Sequence, residues 1–236
     1  FTMTKLIKLY LLFTLFFVPH FLAQEIPVNK YGLKVVSTVE LYEKLSEQNP
    51  NKILVDLTKA IPGIVLDIRY ATADNITKKP LYTVPGAFLR APAARSLKKV
   101  QDSLATLGLG IKIFDAYRPY SVTEKLWLAV LDDRYAADPR KGSRHNRGCA
   151  VDLTIVNLRT GEELEMPTGF DDFTVKAHHA YMNLPRQVIK NRALLKSLME
   201  LNGFESITSE WWHYDFIGYS AYEIMDISYE QLLQLK

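Results

Sequence analysis

The 236-residue chain predicts an α+β fold: a single domain with a mainly antiparallel sheet flanked by helices. Three observations predict it. Residues 92–107 and 185–202 repeat their apolar side chains at the helical period. Residues 111–115 and 150–156 are β-branched runs of strand length. The two kinds of segment follow one another without a strand–helix–strand rhythm, and Thr160-Gly161 reads as a hairpin turn, which pairs strands antiparallel.

The elements follow in order. Lys5 and Lys8 precede an apolar run over residues 9–22, which closes on Ala23 before the polar Gln24 and Glu25. That is the layout of a cleavable secretory signal peptide over residues 1–23, so the protein is expected to be exported, periplasmic or secreted. The run falls short of the ~20 residues of a membrane span and contains Pro19 and His20, so no stable membrane anchor is expected. From residue 24 to 52 an N-terminal arm holds a short helix, opened by a capping box of Ser37 and Glu40 and stopped by Asn49-Pro50. Residues 64–70 alternate Ile64, Leu66, Ile68 and Tyr70 against Asp67 and Arg69, the pattern of a strand with one buried side. A loop through Pro85-Gly86 leads to Pro92, suited to the first turn of a helix. Its Leu97, Val100, Leu104 and Leu107 share a face, and Gly108 ends it.

Strand 111–115 runs into Tyr117-Arg118-Pro119, and Ser121 with Glu124 forms a second capping box for a helix toward Leu131. Strand 150–156 places Asp152 and Thr154 on one face, and Val151, Leu153 and Ile155 on the other. Residues 152–167 read as a hairpin. Residues 185–202 form an amphipathic helix (Val188, Leu195, Leu198, Leu201) stopped by Gly203. Two short strands flank residues 206–209, and a weak helix begins at Ser228.

Two stretches carry the chemistry: S-R-H-N-R-G-C-A-V-D over residues 143–152 and E-W-W-H over residues 210–213. Imidazole nitrogen and carboxylate oxygen suit zinc, and a catalytic zinc takes three protein ligands and keeps one position for water. His145, Asp152 and His213 are the candidate ligands for one Zn2+ per chain, and Glu210 is the candidate general base. His145 and Asp152 are seven residues apart, so a regular strand would point them to opposite faces; Gly148 permits the bend that unites them. Glu210 and His213 are three apart and need an irregular entry into a strand at about residues 212–216.

S-R-H-N-R-G-C-A-V-D-L-T (residues 143–154) and S-E-W-W-H-Y (residues 209–214) resemble the two signatures of the zinc D-alanyl-D-alanine dipeptidases, the family that includes the vancomycin-resistance dipeptidases. D-I-R-Y-A-T-A-D-N (residues 67–75), D-A-Y-R-P (residues 115–119) and the segment from Phe170-Asp171 to His178-His179 agree, so the resemblance spans residues 64–216. Cys149 departs from the pattern, in which a small residue such as serine is common, and puts a soft thiol near the metal.

The resemblance implies a zinc dipeptidase domain over residues 24–236, with its core at 64–216. It implies hydrolysis of a small D-configured dipeptide, D-alanyl-D-alanine, by metal-activated water with Glu210 as general base. Arg118 would face the oxyanion, and Asp115, Ser143, Asp171 and Tyr70 would hold the substrate's amino terminus. Configuration comes from the resemblance alone. The same residues also admit a zinc D,D-carboxypeptidase or endopeptidase acting on peptidoglycan stems, or a non-catalytic zinc-dependent binding module.

Composition excludes other classes. With 29 basic and 26 acidic residues the formal charge is +3, which gives no reason to expect a nucleic-acid partner. The single Cys149 leaves no internal disulfide and is not needed as a nucleophile. Adjacent side chains on a helix point about 100° apart, so His178 and His179 are read as structural or pocket-lining. Trp211 and Trp212 read as core and pocket wall.

Overall fold

The computed structural model describes residues 25–132 and 135–235, and the leader expected over residues 1–23 lies outside them. The chain builds β1 (Val35–Val36), α1 (Val39–Gln48), β2 (Leu54–Asp56), α2 (Leu57–Ala60) and β3 (Val65–Leu66). Then come β4 (Phe88–Arg90), α3 (Ala91–Ala105), β5 (Leu109–Asp115), α4 (Tyr120–Val130) and β6 (Ala150–Asn157). It ends with α5 (Arg186–Leu201), β7 (Phe204–Ser206), β8 (His213–Phe216), β9 (Ile224–Met225) and α6 (Tyr229–Gln234).

The central sheet has the order β3-β5-β6-β8-β7 and is antiparallel except for its parallel β3–β5 pair. Two small pairs stand beside it, β2–β4 antiparallel and β1–β9 parallel. The fold is α+β, as the sequence predicts, and the sheet is mixed at one edge. Helices α3 and α5 pack on each other and on β5 and β6. They bury Leu97, Val100, Leu104, Leu195 and Met199 together with Ile111, Ile113, Val151, Leu153 and Ile155. Each large apolar side chain so buried contributes about 1.5–3 kcal/mol, which makes β5 and β6 a rigid floor for whatever stands on their ends.

Long-range contacts override several local expectations. Only Val65 and Leu66 of the expected strand 64–70 join the sheet; Arg69–Ala71 forms a 3-10 turn. The alternation there records burial of Ile68 and Tyr70 rather than a ladder. Thr38, not Ser37, caps α1, accepting from the Leu41 N–H at 3.3 Å. The second capping box does not form: α4 starts at Tyr120, and the Ser121 N–H goes to Asp226 Oδ1 at 2.8 Å. The expected hairpin over 152–167 reduces to one bridge, Val156 to Glu163, because Asn157 Oδ1 ends β6 by accepting the N–H groups of Arg159 and Thr160. Leu107 and Leu201 are exposed, since α3 ends at Ala105 and Leu201 is the last residue of α5. At the C-terminus a capping box of Ser228 and Gln231 does form and starts α6.

Candidate metal centre and active site

The register of β6 and β8 sets Asp152 directly opposite His213, so the sheet itself delivers two of the three candidate ligands to one place. His145 arrives from the 3-10 turn His145–Arg147 that precedes β6. Gly148 closes that turn at φ 67°, and a Cβ on it would lie 2.6 Å from Leu54 Cδ2. A left-handed backbone with no room for a side chain is a position for glycine. The turn is also tied to the loop after β5: the Arg118 N–H donates to the His145 carbonyl at 3.1 Å, and Asn146 Nδ2 donates to the Arg118 carbonyl at 2.8 Å.

Both imidazoles are oriented from behind. His145 Nδ1 lies 2.6 Å from the Ala116 carbonyl, which can only accept, so Nδ1 carries the proton and Nε2 faces inward. There it meets Asp152 Oδ2 at 3.4 Å and His213 Nδ1 at 3.3 Å. His213 is turned the other way, with Nε2 3.0 Å from Asp215 Oδ1 and Nδ1 2.9 Å from Asp152 Oδ1. One donor atom from each of His145, Asp152 and His213 lies within 4.8 Å of the others. A carbonyl and a carboxylate behind metal-binding imidazoles are the usual means of fixing their orientation and basicity.

The electrostatics agree with a cation at this point. Burial pushes the Asp152 carboxyl up, yet the two imidazoles beside it hold it well below the usual carboxylate range. Burial pushes His213 down, yet Asp152 and Asp215 hold it well above the usual imidazole value. Two nitrogens and a carboxylate oxygen, with proton-accepting groups behind both rings, fit zinc.

The candidate ligands line a cavity of about 490 Å³ that also takes in Glu210, Arg118, Tyr70, Asp171 and Ser143. Glu210 Oε2 stands 4.0 Å from His213 Nδ1, and its proton affinity is raised by burial and then by Asp152, against the pull of the imidazoles and Arg118. Arg118 is buried, its guanidinium 4.9 Å from the centre of the Tyr70 ring. Its Nε and Nη2 donate to Asp115 Oδ2 at 2.9 and 2.7 Å, and the Tyr82 hydroxyl donates to Asp115 Oδ1 at 2.7 Å. Asp115 is therefore placed behind Arg118 with both oxygens engaged, rather than in the cavity wall. The Tyr70 hydroxyl donates to Asp171 Oδ2 at 3.1 Å, and burial, then Asp152, pushes the Asp171 carboxyl up to about 7. Ser143 Oγ accepts the His145 N–H at 3.2 Å.

A sequence profile described as D-ala-D-ala dipeptidase matches residues 51–231.

The chain belongs to the D-alanyl-D-alanine dipeptidase family.

The D-alanyl-D-alanine dipeptidase of Escherichia coli (strain K12) is 37% identical over 172 residues, 73% of this chain and 89% of that one. That of Enterococcus faecalis (strain ATCC 700802 / V583) is 33% identical over 181 residues, 68% of this chain and 90% of that one. A solved structure described as VanYB in complex with D-Alanine-D-Alanine is similar over 58% of this chain and 75% of that one, at 15% identity and a TM-score of 0.39. Membership makes the chain a metallopeptidase of the dipeptidase type.

Two expectations are corrected in this dipeptidase. Cys149 is fully buried, does not line the cavity, and is pushed up to about 12 by burial, so no soft thiol faces the candidate ligands. His178 and His179 follow the 3-10 turn Val175–Ala177 instead of riding a helix. Asp215 is not singled out by the sequence motifs, although a residue two beyond His213 in a strand shares its face.

His179 gives the folded state an acid sensitivity. Its Nε2 is buried without a hydrogen-bond partner, and burial, then Lys196 and Arg192, pull it down to about 4. An unfolded chain protonates this imidazole at about 6.5, so stability falls as pH drops from about 6.5 to 4 and is flat beyond. His179→Gln should lose less stability than wild type between about pH 7 and pH 5, read from urea midpoints with chelator present. Equal losses would show that His179 is not the source.

Proposed function

We propose that this chain hydrolyses D-alanyl-D-alanine, with zinc held by His145, Asp152 and His213 and with Glu210 as general base. The observation that carries the reading is the meeting of three metal-type donors within 4.8 Å of one another, with a half-buried carboxylate 4.0 Å from one of them in the same cavity. The relatives named above support the substrate. Zinc, when bound, supplies Lewis acidity, which polarises the scissile carbonyl and brings the pKa of a water to ~7.

The side chains do the rest. Glu210 accepts the proton of the attacking water on a carboxylate oxygen and returns it to the departing amine; its burial moves its proton affinity toward that of a base working near neutrality. Arg118, held by Asp115 and stacked on Tyr70, presents a fixed positive charge to the oxyanion of the tetrahedral intermediate. Asp171 and Tyr70 receive the substrate ammonium, which favours the charged form of Asp171. Ser143 has one lone pair engaged by the His145 N–H, which leaves its second lone pair and its hydroxyl proton for the substrate. Asp115 acts through Arg118 and does not touch substrate.

Arg118→Ala should lower kcat/KM by about 10²–10³. It should also lower folding stability by about 3–5 kcal/mol, because Asp115 is left charged and unpaired in the interior. Denaturant unfolding beside steady-state kinetics checks both, and unchanged stability would mean that the buried pair is not what holds this loop.

The deciding experiment couples a metal analysis to hydrolysis of D-alanyl-D-alanine, L-alanyl-L-alanine and a stem pentapeptide. One zinc per chain with preference for the D,D-dipeptide is expected. Preference for the pentapeptide would replace the reading with a carboxypeptidase, and bound zinc without turnover would replace it with a binding module. The signal peptide expected from the sequence over residues 1–23 would make export the route to wall-derived dipeptides, checked by the N-terminus of the mature protein.

A further inference from the structure

The charges around the cavity are segregated. Asp171 and Glu210 stand on the segments after β6 and before β8, whereas Lys141 and Arg144 come from the loop that leads into the His145 turn and Arg147 from the turn itself. A dipeptide is a zwitterion with opposite charges on either side of its peptide bond. If Asp171 and Tyr70 take its ammonium, its carboxylate is left to be met by a basic residue of the same lining.

The basic residues are not equally available. Arg118 is committed to Asp115. Arg147 donates to the Tyr222 carbonyl. Arg144 lies 3.3 Å from Asp215 Oδ2 and 4.7 Å from the centre of the Tyr219 ring. Lys141 is exposed and lines the cavity, and no carboxylate among the described residues forms an ion pair with it. The acid closest in sequence, Asp138, is occupied by Arg140, which approaches it at 2.9, 3.0 and 2.7 Å.

The backbone under Lys141 is built rather than loose. The Lys141 and Gly142 N–H groups donate to the Asp138 carbonyl at 2.9 and 3.2 Å. Gly142 has φ 71°, and a Cβ there would lie 2.5 Å from Ile224 Cδ1, so the loop is pressed against β9 in a form that needs glycine. A lysine with an uncommitted ammonium is thereby held in the lining of the cavity that also holds Asp171 and Glu210.

We infer that Lys141 binds the free carboxylate of the dipeptide and so sets preference for substrates that end in a carboxylate. This inference rests on the dipeptidase reading and names the far end of the same substrate. Lys141 touches substrate but moves no proton, so its contribution is to binding.

The test uses the zinc-loaded enzyme with two substrates, D-alanyl-D-alanine and its C-terminal amide, and two variants, Lys141→Gln and Lys141→Arg. A charge-assisted hydrogen bond at a cavity edge predicts that Lys141→Gln raises KM for the dipeptide about 10-fold with kcat within about twofold. Turnover of the amide, which has no charge for Lys141 to meet, should be unchanged, so the preference for the free acid collapses; Lys141→Arg should restore it. A Gln variant that keeps the wild-type preference overturns the inference, as does one that slows both substrates equally. Wild type that cleaves neither substrate overturns the dipeptidase reading and this inference with it.

Discussion

Glu210→Gln should retain its zinc and lose nearly all turnover, by about 10²–10⁴-fold, the usual contribution of a general base. The separation of the two effects follows from geometry. Among the described residues the converging donor set is His145, Asp152 and His213, and Glu210 stands 4.0 Å from His213 Nδ1 as a neighbour of that set. Glutamine keeps the shape and the hydrogen-bonding reach of the side chain while removing its ability to accept a proton. Removing a half-buried anion whose proton affinity is already raised by desolvation also relieves an unfavourable charge, so the variant should fold at least as well as wild type. The checks are metal content by mass or emission analysis and kcat on D-alanyl-D-alanine. Normal turnover by Glu210→Gln would end the assignment of Glu210 as base.

His213→Ala should lose metal and activity together. Asp152 and Asp215 both face His213, at 2.9 and 3.0 Å, and the alanine variant leaves the two carboxylates in the interior without the imidazole between them. One donor of three is gone and the remaining pair no longer closes around an ion. Asp215→Asn is the graded companion: all three donors stay, but the group behind His213 Nε2 loses its charge, and such changes cost about 10–100-fold in metal affinity. Competition with a chromogenic chelator should therefore rank wild type above Asp215→Asn and Asp215→Asn above His213→Ala. If His213→Ala binds zinc as tightly as wild type, His213 is not a ligand.

The candidate ligand set is legible in the sequence because its signals are local. His145, Asp152 and His213 have the donor atoms that zinc takes, Gly148 supplies the bend that unites the first two, and Glu210 sits just ahead of the strand that carries the third. Asp115 shows the limit of local signals. Its chemistry suits an ammonium, yet Tyr82, 33 residues upstream, and Arg118 take both of its oxygens, and nothing in the motif D-A-Y-R-P announces Tyr82. The capping box at Ser121 fails for the same reason, since the acceptor of its N–H is Asp226, 105 residues downstream.

By itself, the sequence determined which side chains have the right donor atoms, which backbone positions require glycine and which segments have a buried face, because each of these depends on residues near one another in the chain. Only the tertiary structure decided which nitrogen of each imidazole faces the site, which carboxylates are spent on holding other groups, and which lysine is left uncommitted at the cavity edge. Those outcomes depend on the register of β6 against β8 and on loops far apart in the chain. A buried polar group takes whichever partner the fold brings within hydrogen-bonding distance, because leaving it without one costs more than the bond itself is worth.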